Sequence, residues 1–394
     1  MSRLWEKGLP LDQRVLRYTA GEDHKLDARL VTYDVRGSIA HAEMLEATGL
    51  IGADDCAAIR DGLTSLEAGF ADGDWQITLE DEDVHTALES RLTSNIGEAG
   101  ARLHLGRSRN DQVLTALRLY LCDVAIDLVS RVQLLRAAIS DVATRQGDVE
   151  IPGYTHMQHA MPSSVGLWCG GFDECFADAE GGLHAVHDRT NKNPLGSAAG
   201  YGAPGLPLDR EMTTAALGFA STQTPVTAVQ LSRGKAESAL LFEITLLMQD
   251  LGRMASDLLL FYTQEFAYVA LAPEVTTGSS IMPQKRNPDV LELLRASSAT
   301  SLACLDEALM ITAKLPSGYQ RDLQRLKSPL FRSIDLATES IDIMAYLLEG
   351  LEFLPDNISL DEGIFATADA YRLVRDEGLP FRDAYRQVAK RYAK

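Results

Sequence analysis

Residues Asp111–Gln146 read DQVLTALRLYLCDVAIDLVSRVQLLRAAISDVATRQ and decide the fold class of this chain. The stretch has neither glycine nor proline in 36 residues. At about 1.5 Å per residue, a helix of that length spans roughly 54 Å. Its apolar residues recur at spacings of three and four, which predicts one helix with an apolar face: Val113, Leu117, Leu121, Val124, Leu128, Val132, Leu135, Ile139 and Val142.

Two further segments repeat this spacing, and residues 163–190 and 289–313 also look helical, though less regularly. Helices of this length exceed the needs of one small bundle, so we expect their apolar faces to continue into neighbouring subunits. The repeating positions are Leu240, Ile244, Leu247, Leu251, Met254, Leu258 and Phe261, followed by Leu330, Ile334, Ala337, Ile341, Met344 and Leu348.

The chain is therefore predicted to be mostly α-helical, with sparse strand signals. Residues 1–22 are expected to form an irregular arm anchored by Trp5. A short hairpin is an open alternative near 192–210, where glycine and proline are frequent. We divide the chain into an N-terminal helical domain (1–107), a central long-helix bundle (108–348) and a short C-terminal helical domain (349–394).

The N-terminal domain is expected to contain helices at 23–49 and 53–68. A third helix should run from the acidic segment Glu80–Asp83 to about Ile96. Because acidic side chains favour the positive end of a helix dipole, capping is the plain interpretation of this segment.

Composition limits the class of protein. The 394 residues are 46% hydrophobic, which suffices for a large core. The net charge of -19 argues against nucleic acid or anionic membrane as a partner. Five cysteines without a CxxC pair are typical of reduced thiols in a cytoplasmic protein. We see neither an apolar signal region nor a run of about 18 apolar residues, so no membrane span is expected.

The segment Gly106–Gln112, GRSRNDQ, directly precedes the longest predicted helix. Ser108, Asn110 or Asp111 is suited to cap that helix. A cap does not need two arginines, however. Arginines beside the free amides of a helix N-terminus suit a carboxylate or phosphate.

The segment Pro152–His159, PGYTHMQH, places two histidines in a predicted turn between helices. They are either surface residues or ligands, and a zinc site would need further ligands at suitable spacing. None is obvious, so the sequence predicts no metal site. A single loop histidine is more often structural than catalytic.

The segment Gly278–Asp289, GSSIMPQKRNPD, has two prolines that exclude a continuous helix. It is not the GxxxxGK[ST] phosphate loop. Its adjacent hydroxyls, Lys285 and Asn287 suit a carboxylate that gains charge during a reaction, and the alternative is a mobile surface connector. A fourth segment, Tyr319–Lys327, carries several long hydrogen-bonding side chains, which at a helix start are commonly just solvated.

Together these motifs resemble the argininosuccinate lyases, including the delta-crystallin branch, of the fumarase/aspartase superfamily. The similar stretches cover nearly the whole chain: GRSRNDQV, GYTHMQHAMP, NPLGSAAG, GSSIMPQKRNPD, GYQRDLQ, DVRGSIAHAEML, DEDVHTALE and GLPFRDAY. The resemblance implies reversible anti-elimination of argininosuccinate to fumarate and L-arginine, the last step of arginine biosynthesis, without metal or organic cofactor. It also implies a homotetramer with a core of twenty helices and active sites shared between subunits.

The resemblance assigns catalysis to His156, Ser279, Lys285 and Glu292. Ser279 matches the general base, while Lys285, Asn287 and nearby backbone amides match donors that stabilise an aci-carboxylate intermediate. His156 matches the group serving the other proton step, and Glu292 matches the carboxylate that orients it. His85 matches a histidine near the site. The implied substrate-binding residues are Asp27, Ser108, Arg109, Asn110, Thr155, Ser280, Met282, Asn287, Tyr319, Gln324 and Lys327.

Several positions depart from the family pattern. Asp23 stands where a substrate-contacting serine is expected, Leu105 replaces threonine, and Gln320 replaces asparagine. The segment Leu231–Lys235 retains only the arginine of the usual SDRDF. We expect these changes to affect binding of the arginine portion of the substrate more than the elimination chemistry. The chain also ends before the usual family length, so part of the C-terminal domain is expected to be missing or reduced.

Two alternatives belong to different functional classes. One is another lyase that releases fumarate, from adenylosuccinate or aspartate, against which GRSRNDQV and GYQRDLQ argue. The other is a non-catalytic, crystallin-like scaffold. Retention of His156, Ser279, Lys285 and Glu292 argues against it.

Overall fold

A computed structural model describes residues 12–392 of the chain. Trp5, the expected anchor of the N-terminal arm, lies outside the described residues. The fold is mostly α-helical, as predicted. The helices are α1 (Gln13–Ala20), α2 (Asp23–Leu26), α3 (Val31–Ala47), α4 (Ala53–Ala71), α5 (Val84–Ile96), α6 (Glu98–Arg102), α7 (Arg109–Gln146), α8 (Val165–Thr190), α9 (Arg210–Leu217), α10 (Val226–Leu231), α11 (Lys235–Phe261), α12 (Asp289–Thr312), α13 (Lys327–Glu349), α14 (Ala366–Glu377) and α15 (Phe381–Tyr392).

The long helices agree with the apolar spacing. Every repeating position predicted in α11 and α13 is buried. In α7, Val113 and Val124 are half-buried, while the other seven repeating positions are buried. Burial of a continuous apolar stripe supplies most of the stability of such helices, because propensity alone is weak. None of the helices within residues 12–392 has the length and hydropathy needed to cross a bilayer.

Three local predictions were wrong. Residues 13–20 of the expected irregular arm form α1, which is capped where the Asp12 carboxylate accepts the amide N–H of Arg14 at 2.8 Å. The single helix expected at 23–49 is interrupted by a 3-10 turn at Asp27–Leu30. The turn expected between helices at Pro152–His159 belongs instead to a β-hairpin, since β1 (Glu150–Thr155) pairs antiparallel with β2 (Gln158–Ser164).

No hairpin forms at 192–210. Instead, β3 (Lys192–Asn193) pairs in parallel with β4 (Ser221–Thr222). A further short pair joins β5 (Val269–Ala270) to β6 (Glu352–Phe353) in antiparallel order.

The chain forms two compact units. The first contains the described residues up to Val129 together with Gly182–Ile244 and Ser301–Asp335. The second contains Ser130–Gly181, Thr245–Thr300 and the described residues from Leu336 onward. The division into three domains stays a prediction.

Candidate active site

A cavity of about 410 Å³ opens in the first unit. It brings together most of the residues that the sequence assigned to binding in this unit, and it is strongly charged. Its lining consists of Ala20, Asp23, Glu82, Asp83, His104, Arg107, Ser108, Arg109, Asn110, Val113, Arg233, Tyr319, Arg321, Gln324 and Lys327.

Lys327 and Asp23 form part of one wall of the cavity, and Asp27 lies buried directly behind them. Lys327 Nζ donates to Asp27 Oδ1 at 2.6 Å and to Asp23 Oδ2 at 3.2 Å. Burial opposes the charge of Lys327, but Asp27 and Asp23 together raise its pKa. Burial raises the pKa of Asp23 to about 6, although Lys327 acts in the opposite direction. Asp27 also accepts the amide N–H of Val84 at 3.3 Å, which links this wall to the start of α5.

Arg109, the first residue of α7, faces a second group of acids. Its Nη2 donates to Thr86 Oγ1 at 2.9 Å, and its Nε lies 3.4 Å from Asp83 Oδ2. Glu82 Oε2 lies 3.4 Å from Arg109 Nη1. Burial opposes the ionisation of Asp83, but Arg109 and other nearby positive charges lower its pKa. The acids therefore hold the guanidinium at the cavity wall.

Asp111 explains how the GRSRND segment keeps its shape. One carboxylate oxygen accepts the amide N–H of Ser108 at 2.9 Å. The other accepts the amides of Gly196 at 3.0 Å and Ala198 at 2.7 Å. Ser108 Oγ in turn accepts the amide of Asn110 at 3.3 Å. The expected helix-capping role thus coexists with a second one, which is to anchor the glycine-rich loop at 194–202.

The Tyr319–Lys327 segment, which ends at that lysine, supplies further side chains to the cavity lining. Gln324 Nε2 donates to the carbonyl of Thr19 at 2.8 Å, and Arg321 Nε donates to Gln324 Oε1 at 3.0 Å. The guanidinium carbon of Arg233 lies 5.4 Å from the centroid of the Tyr319 ring, a cation–π arrangement. The arginine retained from the altered 231–235 segment therefore still lies at the site.

His85 lies close behind this cavity. The side chain is 2% exposed, and its Nδ1 lies 3.0 Å from Asp34 Oδ1. Burial alone would lower the pKa of His85, but Asp34, Asp83 and Asp27 together raise it.

His156 lies at the tip of the β1–β2 hairpin in the second unit. His156 and Met157 have φ values of 54° and 60°, so both occupy the left-handed region. A two-residue hairpin turn favours this backbone, but asparagine and glycine adopt it more readily than histidine and methionine. The strain of such residues is commonly kept where function needs it. The neighbouring Thr155 is exposed, as is His156 itself.

The Gly278–Asp289 loop is closed at its base and exposed at its tip. Thr277 and Asn287 exchange two backbone hydrogen bonds, at 3.0 and 2.8 Å. Ser279 Oγ accepts the amide N–H groups of Met282 at 3.2 Å and Ile281 at 3.4 Å. Two amide donors directed at a serine oxygen favour its deprotonated form. The Ser280 and Lys285 side chains are exposed.

The chain is similar to known proteins over its whole length. The Lyase family model matches residues 12–300. An argininosuccinate lyase of Thermotoga neapolitana is 40% identical over 394 residues, covering 100% of this chain and 98% of that protein. The chain belongs to the argininosuccinate lyase family. Another member, from Sorangium cellulosum, is 43% identical over 393 residues, covering 99% of this chain and 91% of that protein.

Structures related to this argininosuccinate lyase family support the fold. EDDS lyase in complex with formate has a TM-score of 0.82 and 26% identity. The match covers 97% of this chain and 76% of that chain. The family resemblance and the mostly helical fold expected from the sequence are both confirmed.

The predicted residues fall into two sets. Asp27, Ser108, Arg109, Asn110, Tyr319, Gln324 and Lys327 lie in the first unit, at the cavity or directly behind it. Thr155, His156, Ser279, Ser280, Met282, Lys285, Asn287 and Glu292 lie in the second unit. Among the described residues, no hydrogen bond joins His156 to Glu292, which is exposed in the first turn of α12. The roles of these residues in this argininosuccinate lyase family member stay predictions.

Several lining residues were not named as binding candidates, and Arg321, Asp83 and Arg107 are examples. Arg321 lies within the GYQRDLQ motif, so the motif could have identified it as a binding candidate. Asp83 was interpreted as a helix cap; it does accept the amide of Thr86 at 2.9 Å, but it also faces Arg109. Arg107 is buried and donates to Ser38 Oγ at 2.8 Å. Arg107 directly precedes Ser108 in the sequence, but the sequence did not indicate that its side chain is buried. Across residues 12–392, no three histidine, cysteine or acidic side chains are arranged to hold a metal ion.

Proposed function

We propose that this chain is a cytoplasmic argininosuccinate lyase that splits argininosuccinate reversibly into fumarate and L-arginine. The observation that carries the proposal is the charged cavity of the first unit. Five cationic side chains, Arg107, Arg109, Arg233, Arg321 and Lys327, line it together with Asp23, Glu82 and Asp83. A substrate with several carboxylates, an ammonium and a guanidinium needs receptors of both signs.

The elimination requires a proton to be removed from a carbon beside a carboxylate. In the proposed mechanism, the alkoxide form of Ser279 takes that proton and becomes a hydroxyl, and the electron pair passes into the carboxylate to form an aci-carboxylate with two negative charges. Lys285, Asn287 and the loop amides stabilise this charge. The pair then returns to form the carbon–carbon double bond while the bond to the guanidino nitrogen breaks. His156 protonates the departing nitrogen, which yields fumarate and arginine.

The proposal includes a homotetramer in which one active site takes its segments from three subunits. Several apolar side chains on the long helices support it, because they are exposed in the single chain and suit an interface. Examples are Leu134 at 67%, Leu293 at 68% and Met310 at 67% exposure. In that assembly Glu292 orients His156 across a subunit boundary. Light scattering at assay concentration should give a tetramer, and a monomer would contradict the shared site.

The decisive experiment is a fumarate assay. Purified protein is mixed with argininosuccinate, and release of fumarate is followed by its ultraviolet absorbance. We expect turnover with argininosuccinate and none with adenylosuccinate or aspartate. Turnover of adenylosuccinate without turnover of argininosuccinate would assign the chain to a different lyase. Absence of turnover with all three substrates would favour a non-catalytic scaffold.

A further inference from the structure

Two buried carboxylates share one ammonium group in the cavity wall. Lys327 Nζ contacts Asp27 Oδ1 at 2.6 Å and Asp23 Oδ2 at 3.2 Å. The side chains of Lys327, Asp27 and Asp23 are 5%, 0% and 12% exposed, respectively. When both aspartates are ionised, this cluster carries one negative charge in excess. Such an excess is costly in a buried setting unless another cation is supplied.

Asp23 is the acid of the cluster that faces the cavity. Asp27 is completely buried, and its second oxygen accepts the amide of Val84. Asp23 lines the cavity, and its Oδ1 makes no hydrogen bond to any residue within 12–392. The other acids of the lining, Glu82 and Asp83, both lie 3.4 Å from nitrogens of Arg109. The excess charge is therefore presented to a ligand at Asp23.

We propose that Asp23 determines substrate affinity by binding the positively charged arginine half of the substrate. This inference rests on the proposed function. An ammonium or guanidinium beside Asp23 would neutralise the cluster and complete the hydrogen bonding of Oδ1. Gln324 and Tyr319, which the family resemblance matches to residues that hold the arginine portion, line the same cavity. The serine expected at position 23 would supply a hydroxyl there, whereas this chain supplies a charge.

The electrostatic setting of Asp23 agrees with this role. Lys327 at the start of α13, Asp27 in the 3-10 turn and Asp83 at the N-cap of α5 face it. Burial and the neighbouring acids raise the pKa of Asp23 to about 6, against the opposing effect of Lys327. A bound cation would favour the ionised carboxylate and reverse that penalty.

The test uses product inhibition of fumarate release by the full-length enzyme. The variants are Asp23→Asn, which removes the charge, and Asp23→Glu, which keeps it. The inhibitors are L-arginine, agmatine and fumarate. Agmatine has the two cations of arginine but no carboxylate, so its binding reports on recognition of the cations alone. Fumarate has no cation at all.

We expect Asp23→Asn to raise the inhibition constants of L-arginine and agmatine by about tenfold or more, since hydrogen bonds to charged groups are among the strong ones. The constant for fumarate should not change, and Asp23→Glu should retain part of the affinity for both cations. Glu22→Gln is the matched control, because it removes one carboxylate from the exposed residue next to Asp23 and should leave all three constants unchanged.

Equal inhibition of wild type and Asp23→Asn by agmatine, or no inhibition of either, would overturn the inference. An equal rise in the fumarate constant would also overturn it, because it would indicate a general structural effect. These outcomes differ from failure of the proposed function, in which the wild-type protein releases no fumarate from argininosuccinate.

Discussion

Lys327 Nζ lies 2.6 Å from Asp27 Oδ1, and both side chains are buried. The pair joins the 3-10 turn after α2 to the first residue of α13, so it holds these two segments together beside the cavity. The interruption of the helix expected at 23–49 therefore has a physical role. It places a carboxylate within reach of a lysine 300 residues further along the chain.

Replacing Lys327 with methionine should strongly destabilise the protein. The change leaves Asp23 and Asp27 buried without their cation, and breaking such a pair typically costs about 3–5 kcal/mol. Thermal unfolding followed by circular dichroism measures the effect. Lys390→Met, at an exposed lysine in the last turn of α15, is the control and should unfold like the wild type. A Lys327→Met midpoint within about 1 °C of wild type would contradict the structural role of the pair.

Asp23→Asn should stabilise the protein at neutral pH and less so in acid. The folded-state pKa of Asp23 is raised to about 6 by burial, from an ordinary value of 3.8. Because this pKa is higher in the folded state than in the unfolded state, ionisation of Asp23 destabilises the fold. The free energy of unfolding of the wild type therefore falls as pH rises from the ordinary pKa through the folded-state pKa. Asparagine avoids this loss, so the gain of the variant over wild type should grow between about pH 4 and pH 6 and then level off.

Thermal midpoints across that range provide the measurement, with a gain of roughly 2–4 °C expected above about pH 7. Glu22→Gln again serves as the control, and its difference from wild type should not follow the same profile. A gain for Asp23→Asn that is constant with pH would show that the ionisation of Asp23 is not responsible.

Ser279→Ala should lower kcat by a factor on the order of 100 or more, the scale of a lost acid–base group. Ser279 Oγ already accepts the amide of Met282 at 3.2 Å, an arrangement that favours its negative form. Steady-state fumarate release measures the loss. Ser297→Ala is the control, since this hydroxyl on α12 only donates to the carbonyl of Leu293. Near-normal turnover of Ser279→Ala would remove Ser279 from the chemistry.

His156→Asn should also lower kcat by a factor on the order of 100 or more. The substitution isolates the loss of the imidazole, because asparagine tolerates the left-handed backbone at φ 54° and should preserve the hairpin. His159→Asn, in the same hairpin, is the control. A variant at position 156 that folds normally and retains wild-type kcat would assign the proton step to another residue.

The apolar spacing predicted the long helices well because those segments bury a continuous stripe. The hairpin that carries His156 was missed because its sequence is not a regular alternation. Pro152 and Pro162 face each other across its two strands, and proline usually indicates a break in regular structure. The two left-handed residues at its tip lack the glycine or asparagine that normally indicates such a turn.

The site was predictable as a set of motifs but not as a set of contacts. The resemblance named Asp27 and Lys327 without indicating that they pair. No local pattern connects residues 300 positions apart, and only the folded chain reveals that Asp23 shares the same lysine. The same holds for Asp83. Its local sequence predicts a helix cap, but the local sequence does not indicate that the same carboxylate also faces Arg109.

The carboxylate of Asp111 has a consequence for protein engineering. One side chain at the start of α7 accepts amides from Ser108, Gly196 and Ala198. The 194–202 loop is therefore not an independent module, although it looks like one in the sequence. A chimera that transfers this loop into another protein must also supply an acid at the position equivalent to Asp111, because without it the loop loses the anchor that holds it to the start of α7.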